Sequence, residues 1–133
     1  MLFPCAEYGA DTFRLYEMYM GPLEASKPWN TRDIIGLFRF LQRAWRLSGD
    51  ITSAPGADVA GGDLALRRTT ARTVHDAAEL VETYRFNVVV ARVMELVNVT
   101  RKAVDSGCGP ADPAVREAVE AVAIMLSLVA PYT

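Results

Sequence analysis

The sequence predicts an all-α protein built as a bundle of about five helices. Apolar residues recur every three to four positions through most of the chain, as they do along one face of a helix. Segments rich in glycine and proline separate these periodic stretches. The length of 133 residues suits one domain, and 51% hydrophobic with 23% charged residues is typical of a folded chain and excludes a disordered one.

The first predicted helix begins at Gly9 or Ala10 and ends near Met20, before Gly21 and Pro22. The helical period places Phe13, Tyr16 and Met20 on its apolar face, and Asp11, Arg14 and Glu17 elsewhere. A stiff connector with two prolines follows to Asn30, and we expect its Trp29 to be a packing anchor.

The second predicted helix runs from about Thr31 to Leu47, with Asn30 or Thr31 as its N-cap. A turn of about 100° per residue sorts its side chains into two opposite faces. The apolar face is predicted to contain Ile34, Leu37, Phe38, Leu41, Ala44 and Trp45. The opposite face carries Arg32, Arg39, Arg43 and Arg46.

Three further helices are predicted after a long exposed loop at 48 to 62, which is interpreted as a tolerant insertion site or a mobile edge. The third is capped by Asp63 and runs to about Tyr84, with Leu66, Thr70, Val74, Ala77, Leu80, Val81 and Tyr84 inward. The fourth runs from Asn87 to about Asp105 and carries a valine run that also suits a strand, although its helical period continues too far to favour one. The fifth follows an Asp112 cap and Pro113, ends near Ala130, and is apolar around most of its surface, so we expect it to be central.

Catalytic and metal-binding signatures are missing from the sequence. It contains no phosphate-binding glycine loop, nucleophile elbow or zinc-protease motif. His75, the single histidine, is expected on a solvated face, and Cys5 and Cys108 lack the spacing of metal ligands. We therefore expect no catalytic residue, metal or cofactor in this chain. The absence of a long apolar run and of a leader predicts a cytoplasmic location without a membrane partner.

The arginine face of the second helix is the sharpest functional signal. Clustered guanidinium groups repel one another unless they are partnered, and their planar forks fit phosphate oxygens along an RNA backbone. Pairing with acids of neighbouring helices, or simple solvation, is at least as good an interpretation at this point. Arg67, Arg68 and Arg72 extend the same patch if the third helix packs antiparallel to the second.

Four segments resemble bacterial leucyl-tRNA synthetases immediately after the KMSKS signature loop. They are YGADTFRLYEMYMGPLEASKPWNT at 8 to 31, RFLQRAWRL at 39 to 47, YRFNVVVARVMELVN at 84 to 98 and MLSLVAPYT at 125 to 133. The resemblance covers nearly the whole chain except its first seven residues and the loop at 48 to 62. The HIGH and KMSKS signatures, the editing domain and the C-terminal extension of that family have no counterpart here.

The resemblance implies two regions: a stem-contact or connecting segment at 1 to 30, and a class Ia anticodon-binding helical bundle at 31 to 133. It implies tRNA(Leu) as the partner, which fits backbone contacts by Arg39, Arg43 and Arg46. Arg32, Arg68 and Arg72, taken from the arginine patch, complete the set of predicted tRNA-binding residues. It also implies an interface with the parent catalytic domain, formed by Phe13, Tyr16, Met20, Lys27, Trp29 and Asn30. ATP and magnesium are implied for the parent ligase alone, so we do not expect this chain to be catalytic by itself, and no DNA partner is expected.

One alternative is a free-standing module derived from such a synthetase. It would bind a protein or a small ligand, or form a homodimer, through the groove left where the catalytic domain would sit. Phe13, Tyr16, Met20 and Trp29 would line that groove, and they would then form an exposed apolar patch.

Overall fold

The computed structural model describes residues 9–19, 31–56 and 58–131, and it confirms the predicted all-α fold. Five α-helices are present in these ranges, together with one short 3₁₀ turn at Val59–Gly61. The helices are α1 (Ala10–Tyr19), α2 (Thr31–Asp50), α3 (Leu64–Glu82), α4 (Phe86–Ser106) and α5 (Pro113–Leu126). In the described ranges no helix is long and apolar enough to cross a membrane.

Helix α4 is the centre of the bundle, because it packs against α1, α2, α3 and α5. Its buried side chains are Val89, Val90, Val93, Leu96, Val97 and Thr100. The prediction that the fifth helix is central was wrong. Helix α5 buries a broad apolar face against α3 and α4, but its Ile124 remains 70% exposed. The valine run at 88 to 90 is helical, as its period indicated.

Two aspartate caps form a joint between the start of α3 and the start of α5. The Asp63 carboxylate accepts the Leu66 N–H at 3.0 Å, and the Asp112 carboxylate accepts the Ala114 N–H at 2.8 Å. The same Asp112 oxygen accepts the backbone N–H of Asp63 at 3.1 Å. Gly62 fits this joint because a Cβ there would lie 2.7 Å from the Ala114 nitrogen. Both predicted caps are therefore confirmed.

The predicted faces of α1 and α2 need correction at four positions. Asp11 is buried although it was predicted away from the apolar face, and Leu15, which was not predicted inside, is fully buried. Helix α2 continues to Asp50, beyond the predicted end at Leu47, and it buries Phe40, whereas Trp45 is 66% exposed. Both helices pack against α4 and against each other, so the buried strip is rotated from the one that apolar spacing alone suggests.

Helix α3 ends at Glu82, and its inward face is narrower than predicted. Leu66, Thr70, Thr73 and Ala77 are buried, whereas Val74 is 45% exposed. Tyr84 follows the helix with a φ of 57°, and its ring is 70% exposed instead of buried. This left-handed conformation is strained for a residue other than glycine and turns the chain into α4.

The loop after α2 is exposed over most of its described residues, as predicted, but its first part is attached to the bundle. The backbone N–H groups of Thr52 and Ser53 donate to the Pro110 carbonyl at 2.9 and 3.2 Å. Arg116 donates to the Ser53 carbonyl at 3.3 Å, and the Ser53 side chain is buried. These contacts fix the first part of the loop against the turn that precedes α5.

Candidate nucleic-acid interface

The exposed side of α2 carries the four arginines that the sequence singled out. The side chains of Arg32, Arg39, Arg43 and Arg46 are all exposed. Their spacing along a continuous helix places them within about one quadrant of its circumference. The structure therefore brings these four residues together, while their role in RNA binding stays a prediction.

Three of these arginines have no acidic partner among the residues that the structure describes. Every ion pair found there involves other residues, so Arg39, Arg43 and Arg46 pair with no carboxylate in those ranges. Intramolecular neutralisation, one of the two competing interpretations, is not seen for them. Their charge faces solvent.

Arg43 is held in place by two contacts that leave its charge uncompensated. Its Nη1 donates to the Asn98 Oδ1 of α4 at 3.4 Å, and its guanidinium lies 6.0 Å from the centre of the Phe40 ring. Phe40 is fully buried, so the ring is a fixed support for a cation above it. A neutral amide and an aromatic ring orient this arginine without neutralising it.

The arginines of α4 and α5 are placed differently, because each of the following three contacts a carboxylate. Arg92 lies 3.6 Å from Glu95, and Arg116 lies 2.9 Å from Glu120. Arg101 contacts Asp105 at 2.6 Å and reaches Asp50 at the end of α2 at 2.8 Å. Its hydrogen bonds lower the pKa of Asp105 below the ordinary value, and the two carboxylates raise the pKa of Arg101.

Arg68 and Arg72 are exposed on α3, but the packing that would join them to the arginine face is not present. Helix α3 packs on α4 and α5, and α2 packs on α1 and α4. The third helix therefore does not lie antiparallel along the second, as the extended patch requires. Arg67 instead turns back to the Ala60 carbonyl at 3.5 Å. Contact of Arg68 and Arg72 with RNA stays a prediction that this packing does not favour.

The predicted interface with a catalytic domain falls partly outside the described residues. Met20, Lys27, Trp29 and Asn30 lie there, as does Cys5. Tyr16 is 5% exposed and belongs to the core, and Phe13 is half-buried. These two side chains therefore do not form the exposed apolar patch expected of a free-standing module.

Two grooves meet at Trp45, whose exposure the sequence did not predict. A groove of about 760 Å³ lies between the start of α1 and the C-terminal half of α2, and its walls include Gln42, Trp45 and Arg46. On the other side of Trp45, an apolar groove of about 200 Å³ separates α2 from α5. Trp45 follows Leu41 by four residues, so the apolar spacing placed it on the same face as Leu41 and did not indicate that it lies outside the core.

The described residues contain little that could perform chemistry. The His75 Nε2 lies 3.5 Å from the Glu79 Oε1, and the two side chains are 73% and 71% exposed. Desolvation raises the pKa of the Cys108 thiol, and the nearby carboxylates of Asp112 and Asp63 raise it further, so this cysteine is a poor nucleophile. Within the described ranges no group of three His, Cys, Asp or Glu side chains is arranged to hold a metal ion.

Comparison with known proteins shows close relatives over almost the full chain. The chain is 67% identical over 127 residues to the leucine-tRNA ligase of Nocardioides sp. (strain ATCC BAA-499 / JS614), a match that covers 96% of this chain and 15% of that protein. It is 57% identical over 127 residues to the leucine-tRNA ligase of Paenarthrobacter aurescens, again with 96% and 15% coverage. No family model matches the sequence.

A solved structure shares the fold at low sequence identity. It is the ternary complex of Agrobacterium radiobacter K84 agnB2 LeuRS with tRNA and LeuAMS, which superposes with a TM-score of 0.77 at 20% identity. The match covers 98% of this chain and 18% of that chain. At this identity the likeness establishes the arrangement of the helices alone.

The helical bundle is thus of the kind found in aminoacyl-tRNA synthetases. Among these enzymes, the chain belongs to the leucyl-tRNA synthetase family. It spans 15% of the length of the curated relatives named above. The predicted boundary at residue 30 lies in a range that the structure does not describe, so the division at 1–30 and 31–133 stays a prediction.

Proposed function

We propose that this chain is the tRNA-binding helical part of a leucine-tRNA ligase, and that it supports tRNA(Leu) through contacts with the phosphate backbone. The observation that carries the proposal is the arginine face of α2, where Arg39, Arg43 and Arg46 are exposed and pair with no carboxylate in the described residues. The names of the relatives, and the tRNA in the complex with the same fold, support tRNA as the polyanion.

The geometry of the arginine face suits contacts with the phosphate backbone of RNA better than recognition of its bases. Residues at i, i+4 and i+7 of a helix follow a line along its axis, so Arg39, Arg43 and Arg46 form a row. Guanidinium groups bind phosphate oxygens in a bidentate way, and such contacts fix register and orientation without reading bases. The hydrogen bond from Arg43 to Asn98 on α4 favours one orientation of the guanidinium before binding.

The role of this chain in the ligase reaction would be positional. In the longer protein ATP and magnesium would supply the chemistry of adenylation, and within the described ranges no group of three His, Cys, Asp or Glu side chains is arranged to hold a metal ion. The bundle would bind the body of the tRNA and so restrict the positions that its acceptor end can reach. The catalytic domain of the longer protein would be the second partner, docked against the N-terminal region.

A salt titration of the purified chain with a tRNA(Leu) transcript tests the proposal. We expect binding that weakens steeply as salt rises, since each phosphate contact contributes a slope of about −0.9 in log K against log salt. The double variant Arg39→Ala/Arg43→Ala should bind more weakly and with a shallower slope, reduced by about 2.

The matched control is the double variant Arg85→Ala/Lys102→Ala, which removes the same two positive charges from exposed positions on α4 and its N-terminal turn. It should bind tRNA(Leu) within about twofold of the unaltered chain, because distant exposed charges are largely screened. An unchanged salt slope in Arg39→Ala/Arg43→Ala, or an equal loss in both double variants, would overturn the proposal.

A further inference from the structure

We propose that Trp45 and Arg46 form a subsite for one unpaired nucleotide, in which the base stacks on the indole and the guanidinium binds its phosphate. The inference rests on the proposed function and deepens it, because it names a structural feature of the RNA that the arginine face alone would not require. It starts from a side chain whose position the apolar pattern of α2 does not explain.

Trp45 is an exposed indole on a helix that buries five of its large apolar residues and partly buries Ile35 and Phe38. Its exposed fraction is 66%, whereas Ile34 and Phe40 of the same helix are 0% exposed. Tryptophan presents a broad flat π face, and exposed aromatic residues beside basic ones are the usual platform for stacking unpaired bases. The indole therefore contributes little to the core and offers a surface for a planar ligand.

The groove beside Trp45 has the size and shape for such a ligand. Its volume of about 760 Å³ lies within the range of small-molecule sites, roughly 300 to 1,000 Å³. Phe38 and Leu41 form part of its floor, and Gln42, Trp45 and Arg46 stand along α2 at its wall. The amide of Gln42 can both donate to and accept from the edge of a base.

Arg46 is the cationic side chain among the described residues that line the groove, and it can bind one phosphate. Two carboxylates line it, but Asp50 already accepts a hydrogen bond from Arg101 at 2.8 Å, and Asp11 is only 7% exposed. Arg46 is exposed and forms no ion pair with a described carboxylate. The positive charge that a ligand in this groove would meet is therefore that of Arg46.

The subsite is continuous with the arginine face. On a helical projection at about 100° per residue, Arg46 lies beside Arg39, and Gln42 lies between Arg46 and Trp45. A strand whose phosphates follow the arginine row can therefore place its next base against the indole. In a paired stem the bases are stacked inside the helix, so this contact requires an extruded or single-stranded nucleotide.

Tryptophan fluorescence provides a direct test. The chain has two tryptophans, so the Trp29→Phe variant leaves Trp45 as the reporter. In this background we expect hexa-adenylate to quench the fluorescence. Measured by the fluorescence anisotropy of end-labelled hexa-adenylate, Trp45→Ala in the same background should weaken binding about 10-fold, and Trp45→Phe should recover most of the affinity because it retains a stacking ring. A fully paired RNA duplex should bind all three proteins within about twofold.

The control variant is Tyr84→Ala, which removes another exposed ring, 70% accessible, from the turn between α3 and α4. It should leave hexa-adenylate binding unchanged. Circular dichroism and the midpoint of thermal unfolding should show that Trp45→Ala is folded, as its exposure indicates.

The outcomes separate the subsite from the arginine face. If Trp45→Ala binds hexa-adenylate as tightly as the parent, while Arg39→Ala/Arg43→Ala weakens duplex binding, the subsite is overturned and the proposed function stands. If neither RNA binds the unaltered chain, both fail. If Trp45→Ala instead converts a dimer into a monomer without changing RNA affinity, the indole belongs to a protein contact and the subsite is overturned.

Discussion

Three arginines of α2 and three arginines of α4 and α5 have the same side chain and opposite surroundings. Arg92, Arg101 and Arg116 each contact a carboxylate, and Arg101 joins the end of α2 to α4 through Asp50. Arg39, Arg43 and Arg46 are exposed and meet no carboxylate in the described ranges; Arg43 is held by Asn98 and Phe40.

This difference shows how one chain with a net charge of only −2 can present a surface for a polyanion. Positive charges that stabilise the bundle are neutralised locally, so they contribute little to the field outside. The charges of Arg39, Arg43 and Arg46 are not compensated by any carboxylate in the described ranges, and Arg43 contacts only a neutral amide and an aromatic ring. The net charge of the chain alone therefore does not reveal the basic surface on α2.

The largest effect expected from this comparison is on RNA binding. The triple variant Arg39→Gln/Arg43→Gln/Arg46→Gln should lose about 100-fold in affinity for a tRNA(Leu) transcript at low salt, because three phosphate contacts are removed. The triple variant Arg92→Gln/Arg101→Gln/Arg116→Gln should stay within about threefold. Fluorescence anisotropy measures both, and equal losses would show that the two groups are not functionally distinct.

The same two triple variants should show the opposite order of effects on the free energy of unfolding. Loss of the paired arginines should lower the free energy of unfolding by about 1 to 2 kcal/mol in total, since partly exposed pairs contribute well under 1 kcal/mol each. Loss of the α2 arginines should change it by less than about 0.5 kcal/mol. Urea unfolding checks both values. A larger loss from the α2 variant would mean that its arginines have a structural role.

The Arg101–Asp105 pair should appear in the acid dependence of stability. The pKa of Asp105 is lower in the folded state than its ordinary value, so the pair stabilises the fold above about pH 4 and this contribution is lost as the pH falls through the lowered pKa. Arg101→Gln removes the cause, so its stability should fall less steeply than that of the unaltered chain below about pH 4. Parallel curves from urea unfolding at several pH values would contradict this assignment.

The smallest expected effect comes from converting one α2 arginine to the paired type. Asn98→Asp places a carboxylate where Arg43 now meets an amide oxygen at 3.4 Å. RNA affinity should drop about two- to fourfold, because the new partner competes with phosphate for the guanidinium. Asn98→Gln is the neutral control, measured in the same anisotropy assay. An undiminished affinity in Asn98→Asp would show that Arg43 does not contact RNA.

The sequence predicted the number of helices and most of their ends because these depend on local chemistry. Asp63 and Asp112 cap their helices through their own carboxylates, and Pro113 fits the first turn wherever the helix lies. It predicted the arginine face for the same reason, since spacing on one helix sets which side chains share a side.

The predictions from the sequence were wrong where the burial of a side chain, or the position of a helix, depends on which helices pack against each other. The apolar spacing of α2 predicted that Trp45 is buried and gave no reason to expect Phe40 in the core. In the structure α2 packs on α1 and α4 through a face that includes Phe40, and Trp45 lies between two grooves. The sequence also placed the fifth helix at the centre, because a helix that is apolar around most of its surface does not reveal how many partners it has. Helix α4 holds that position.

The sequence by itself therefore determined the all-α class, the helix caps, the basic face of α2 and the resemblance to the synthetase family, because each depends on residue type and on spacing within one element. The tertiary structure alone decided which arginines are neutralised and which remain free of carboxylates in the described ranges, and it alone exposed Trp45. Those properties depend on the distances between different helices, such as Arg101 to Asp50, and spacing along one helix does not contain them.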